Sequence, residues 1–139
     1  MTIAAAVALV LLAGGGAPAT PSLTGTWTWG GEDAEEAGGT LAVIDDAEGT
    51  RFQLQLSRGA PSYNMGFLEG RLTVKDGRAT FVHVEAGMPC EIAFTFTRES
   101  AVLERIGDDS GCLFGFQVHA DGTYRRISRK KPKFDLIPQ

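Results

Sequence analysis

The feature that most constrains this chain is a period of two, repeated in short runs from Leu23 to Ser128. Successive side chains of a strand point to opposite faces, so a run alternating apolar with polar residues buries one face only. Arg51-Phe-Gln-Leu-Gln-Leu-Ser57 alternates strictly, with Phe52, Leu54 and Leu56 inward and Arg51, Gln53, Gln55 and Ser57 outward. Cys90 to Thr97 repeats the pattern and sets Cys90, Ile92, Phe94 and Phe96 on one face. Leu23 to Trp29 opposes Leu23, Trp27 and Trp29 to Thr24, Thr26 and Thr28. Shorter runs read as strands at Thr40–Ile44, Leu68–Val74, Arg78–Glu85, Ala101–Ile106, Leu113–His119 and Thr123–Ser128. Lys75-Asp76-Gly77 predicts a hairpin turn, because Asp-Gly accepts the left-handed backbone such turns require. Arg98-Glu99-Ser100 and Ala120-Asp121-Gly122 predict further turns, and Gly107–Gly111 a polar loop.

Roughly eight or nine short strands without a helical window predict an all-β chain rather than βαβ units. The expected architecture is a single antiparallel up-and-down β-barrel of about eight strands, which closes on itself and hides its edges. Phe52, Phe81, Phe94, Phe96, Phe114 and Phe116 are enough to fill its interior, and the sequence leaves open whether the interior is filled or an open cup. A length of 139 residues suits one domain, and 18 glycines suit a turn-rich one. With 43% hydrophobic and 22% charged residues, the chain is not expected to be disordered. A net charge of −4 argues against a dedicated nucleic-acid binder.

Residues 1–19 read as a secretory signal peptide, and residues 20–139 as the barrel domain with a basic C-terminal tail. Met1 to Ala19 carry no charged side chain, and the apolar run Ile3 to Ala13 ends in Gly14-Gly15-Gly16 and Ala17-Pro18-Ala19. That run is about half of the ~20 residues that cross a bilayer as a helix, and A-x-A is a cleavage pattern. Without a cysteine after Leu11-Leu12-Ala13-Gly14 no lipoprotein anchor is expected. The expected product is periplasmic or secreted, with no membrane span. In such a compartment Cys90 and Cys112, the only two cysteines, are expected to form a structural disulfide. Closing a loop of about 23 residues removes roughly 3 kcal/mol of unfolded-chain entropy.

No catalytic motif, cofactor site or metal site is legible. Neither a Gly-x-Ser-x-Gly elbow nor a C-x-x-C pair is present. His83 and His119 read as surface or barrel-lining side chains, and Asp45 and Asp46 as carboxylates of a solvated turn. Asp108-Asp109-Ser110 lacks the ligand spacing of a calcium loop. The run Arg125-Arg126-Ile-Ser-Arg129-Lys130-Lys131-Pro132-Lys133 is either a solubilising guard for the last strand or a dock for an anionic envelope component. The loop Ser57-Arg58-Gly59-Ala60-Pro61-Ser62-Tyr63-Asn64 is the better binding candidate. Glycine and proline shape it, and Ser57, Arg58, Ser62 and Tyr63 offer residue types common at protein-binding hot spots.

Leu23-Thr24-Gly25-Thr26-Trp27 resembles the first strand of avidin-type and lipocalin-type barrels, the calycin group, in which a Gly-x-Trp closes one barrel end. No tryptophan follows Trp29, so biotin binding is not implied. Cys90-Glu-Ile-Ala-Phe-Thr-Phe96, Gly111-Cys112-Leu-Phe-Gly115-Phe-Gln-Val118 and Asp121-Gly122-Thr-Tyr124 resemble a group of exported bacterial proteins similar to the periplasmic β-barrels that inhibit lysozymes. The inhibitory loop of that family carries Ser-Gly-x-x-Tyr; here Ser57-x-Gly59-x-x-x-Tyr63 departs from that spacing. The resemblance implies a non-catalytic binding protein whose partner is extracytoplasmic: a cell-wall hydrolase, a toxin for which this chain gives immunity, or an envelope component. The alternative is a carrier holding a small apolar ligand in the barrel mouth.

Overall fold

The computed structural model describes residues 21–138 except 32 and 34, so the predicted leader lies outside the described residues. Eight antiparallel strands form one sheet: β1 (Gly25–Gly30), β2 (Gly38–Asp46), β3 (Gly49–Ser57), β4 (Met65–Leu72), β5 (Arg78–Glu85), β6 (Met88–Phe96), β7 (Ser100–Arg105) and β8 (Gly122–Ser128). The sheet order β4-β3-β2-β1-β8-β7-β6-β5 wraps them into a nearly closed barrel. The inward residues keep the predicted period: Phe52, Leu54, Leu56, Cys90, Ile92 and Phe94 are each at most 1% exposed. Trp27 of β1 and Tyr124 of β8 complete the core, both fully buried. Each such large side chain contributes roughly 2–3 kcal/mol relative to leaving it in water. The Tyr124 hydroxyl donates to Ala120 O at 2.7 Å, and burial pushes its pKa well above the ordinary 10.0.

The barrel is joined along β1 and β8 by backbone ladder and by one cation. Arg126, on β8, donates through Nη2 to Ser22 O at 2.8 Å and Thr24 O at 2.7 Å, and through Nη1 to Arg98 O at 3.2 Å. Its guanidinium lies 4.8 Å from the Trp27 ring centroid, within cation–π range. Burial lowers its pKa, yet an arginine in protein stays charged. Gly25 permits this closeness: a Cβ there, at φ +153, would stand 2.1 Å from Ser128 O.

The expectation of full closure fails between β4 and β5, which are the two edges of the sheet. The Asp76-Gly77 turn forms as predicted, with φ of 52 and 76, and Lys75 and Arg78 exchange backbone hydrogen bonds of 2.9 Å. Beyond that pair the two strands part, because side chains occupy the seam. The inward positions of β4 opposite Leu56 and Phe52 are Gly66 and Gly70. A Cβ on Gly66 would lie 2.6 Å from the Phe114 ring, and one on Gly70 2.3 Å from the Phe81 ring. Phe81 in turn meets Phe52 edge to face at 5.2 Å. Two aromatic rings on bare glycine backbone replace the missing ladder.

The predicted strand Leu113–His119 does not form. A 3₁₀ turn at Ser110–Cys112 is followed by irregular chain, with Leu113 and Gln117 at positive φ. The cause is covalent and local: Cys112 is bonded to Cys90 on β6, as predicted, so the chain is held against β6 rather than free to pair. From there it crosses the seam, packing Gly111 on the Met88 and Pro89 backbone and donating from Gly115 N to Met65 O at 2.9 Å. Phe114 enters the seam, but Phe116, expected in the interior, is 74% exposed. Gln53 is a second correction: although on the outer face it is only 4% exposed. The C-terminal segment returns over β3, where Leu136 N donates to Gln53 Oε1 at 3.2 Å and Arg51 sits 5.7 Å from the Phe134 ring centroid. Asp45 is likewise structural: its Oδ2 accepts from Leu23 N and its Oδ1 from Thr50 Oγ1, at 3.1 Å each.

Candidate functional site at the long-loop end

The barrel ends differ because alternate connections differ in length. One end carries only short connections, 47–48, 73–77 and 97–99. The other carries the two-residue turn 86–87 and three longer connections, 31–37, 58–64 and 106–121, and these three are tied together. Ser57 Oγ accepts from Gly59 N at 3.1 Å, Tyr63 N donates to Gly59 O at 2.9 Å, and Arg58 N donates to Asn64 O at 2.9 Å. Ala60 N donates to Glu35 O at 2.9 Å, fixing the loop to its β1–β2 neighbour. Asn64 Nδ2 donates to Phe116 O at 3.1 Å, fixing it to the segment across the seam. Gly59, at φ +77, is where the first of these contacts closes; a Cβ would lie 2.5 Å from Glu35 O.

The predicted binding residues thus divide into two kinds. Ser57 is half-buried and commits its oxygen to shaping the loop. Ser62 is exposed at the tip, and Tyr63 is 48% exposed. Arg58 is half-buried with its guanidinium 5.9 Å from the Phe116 ring centroid, so it is pinned to the apolar surface beside it. That surface comprises Phe116 and Leu113 (63% exposed), which sequence reading placed inside the barrel or in a strand, and Met65 (41% exposed). The cysteine at 112 was the available hint, since a bridged residue constrains the few residues after it.

Two concavities open here. A groove of about 570 Å³ is lined by Thr28, Trp29, Glu36, Thr40, Gln55 and Tyr63 among others. A cavity of about 350 Å³ lies between Trp29, Ser57, Arg58, Arg105 and His119. Arg105 and His119 belong to a charged cluster: His119 Nδ1 lies 2.7 Å from Asp109 Oδ2 and 2.6 Å from Arg105 Nη1, and Arg105 Nε is 3.7 Å from Asp121 Oδ1. One ring nitrogen cannot donate to the carboxylate and accept from the guanidinium at once, so the imidazole's tautomer decides which holds. Either arrangement ties the crossing segment to the end of β7. Nearby, Ser110 donates to the Asp108 carboxylate through its hydroxyl and its backbone N–H, which lowers the Asp108 pKa. His83 pairs with Glu85 at 3.1 Å on exposed β5, where it is the ladder partner of Cys90.

The basic run separates by residue. Arg126 is the buried clamp of the first seam, and Arg129 pairs with Glu99. Lys130, Lys131 and Lys133 are exposed. Among the described residues no helix is long and apolar enough to cross a membrane, and no three His, Cys, Asp or Glu side chains gather as a metal centre would need. Comparison with protein-family models, curated proteins and solved structures finds no match to this chain.

Proposed function

We propose that this chain is a non-catalytic binding protein of the cell exterior that seats its 57–64 loop in the cleft of a cell-wall hydrolase and inhibits it. The observation that carries this reading is a braced loop on a filled scaffold. Hydrogen bonds from two neighbouring connections immobilise the loop before any partner arrives, so little ordering entropy is lost on binding. Exposed Ser62 and Tyr63 supply hydroxyl donors suited to the carboxylates of a glycosidase cleft, and Arg58 supplies a cation beside an apolar rim. A carrier is the weaker reading, because Trp27, Phe52, Phe94 and Tyr124 take up the space that a ligand in the barrel would need.

Titration of the purified protein against chicken-, invertebrate- and goose-type lysozymes tests the reading. Saturable inhibition of at least one type is expected, with Tyr63→Ala weakening it by about tenfold or more, as for a hot-spot aromatic. Failure to inhibit any type removes the hydrolase from the proposal. Undiminished potency in Tyr63→Ala removes the loop.

A further inference from the structure

The groove beside Tyr63 is not needed for a loop that plugs a cleft, and its lining has a chemistry of its own. We infer that it is a binding site for a neutral oligosaccharide. Thr28, Thr40 and Gln55 are cross-strand neighbours on the outer face of β1, β2 and β3, so a rigid ladder sets their hydroxyls and amide in a row. Asp33 and Glu36 also line the groove, and the half-exposed Tyr63 ring and the Trp29 indole supply aromatic surface. A pyranose has this same division, with a C–H face that packs on an aromatic ring and a rim of hydroxyls. Those hydroxyls can donate to a carboxylate and both donate to and accept from amide and hydroxyl side chains. The volume of about 570 Å³ lies within the roughly 300–1,000 Å³ usual for ligand sites. Two acidic residues on the wall disfavour anionic ligands, and the polar ladder disfavours a purely apolar one.

The two tryptophans make the test direct. Trp27 is fully buried beneath Arg126, whereas Trp29 lines both the groove and the neighbouring cavity. A ligand-induced change in indole fluorescence therefore reports binding at this end, and Gln55→Ala assigns it to the groove, because Gln55 lines the groove and not that cavity. The full protein is titrated with tri-N-acetylglucosamine, cellotriose and maltotriose, and with a lysine tripeptide at equal ionic strength. A saturable change with at least one saccharide is expected, at a midpoint near 1 mM in order of magnitude. Gln55→Ala, on an exposed strand face outside the inhibitory loop, is expected to weaken it about threefold or more, and Tyr63→Ala about tenfold; Tyr63→Phe, which keeps the ring, should restore most of the loss. A response to the lysine peptide alone, no saturable response to any saccharide, or equal affinity in Gln55→Ala and Tyr63→Ala overturns the inference. Inhibition of a hydrolase can stand or fall independently, because Gln55 is no part of the loop proposed to make it.

Discussion

The two seams of this barrel are held by opposite means. Between β1 and β8 the ladder runs with one register shift, at Thr26/Trp27, and a buried arginine ties three carbonyls from two segments over an indole. Between β4 and β5 there is no ladder, and phenyl rings, glycine backbone and a disulfide-anchored crossing segment take its place. Arg126 anchors the first seam at its short-turn end, where Arg98 lies in the 97–99 connection. The second holds up the long loops and their exposed aromatic residues. Leaving a sheet edge unpaired allows a covalently held segment to lie across it and present side chains outward. The proposed binding surface is in this sense a consequence of incomplete closure.

The sharpest way to break the contrast is at Arg126. Arg126→Ala removes charge-assisted bonds to Ser22, Thr24 and Arg98 and is expected to cost about 3–4 kcal/mol in urea denaturation, given ~1.5–3 per charged bond with incomplete additivity. Arg126→Lys should recover less than half of this, since an ammonium cannot span the same three carbonyls. A cost below about 1 kcal/mol would show that the ladder alone holds this seam. Next in size is the double change of Cys90 and Cys112 to serine, expected to cost about 3 kcal/mol. Native-state hydrogen exchange should then quicken in 106–121 and around Met65, with β1 and β2 unchanged, and uniform quickening across the barrel would dissolve the distinction between seams. The smallest effect concerns pH. Burial holds the Tyr124 pKa above its unfolded value, so its contribution is complete below about pH 10 and is lost as pH rises beyond that. From pH 10 to 11 the wild type should lose about 1 kcal/mol that Tyr124→Phe does not lose. Parallel stability curves for the two proteins would contradict this.

Particular residues show where legibility in the sequence stops. The inward set of β3 and β6 could be read off because an alternating run with one buried face has a single register that works. The disulfide could be read because an oxidising compartment was inferred and only two cysteines were present. Gln53 was misread as solvated, because its alternation is local while its cover, the chain near Leu136, is 83 residues away. Leu113–His119 was misread as a strand because its pattern reports side-chain character and not the tether at Cys112. The candidate loop was found from composition, but the division between bracing Ser57 and projecting Ser62 and Tyr63 depends on contacts with Glu35 and Phe116.

The all-β class and the inward faces of β3 and β6 follow from the order of residues alone, since they rest on periodicity, and the sulfur pairing follows from there being only two cysteines. Which two strands stay apart, which phenylalanines leave the core, and which loops lock into one surface were settled only by folding. Those outcomes depend on whether two bulky rings and a bonded segment can share the space beside Gly66 and Gly70, and volume in three dimensions is not a property of any local stretch of chain.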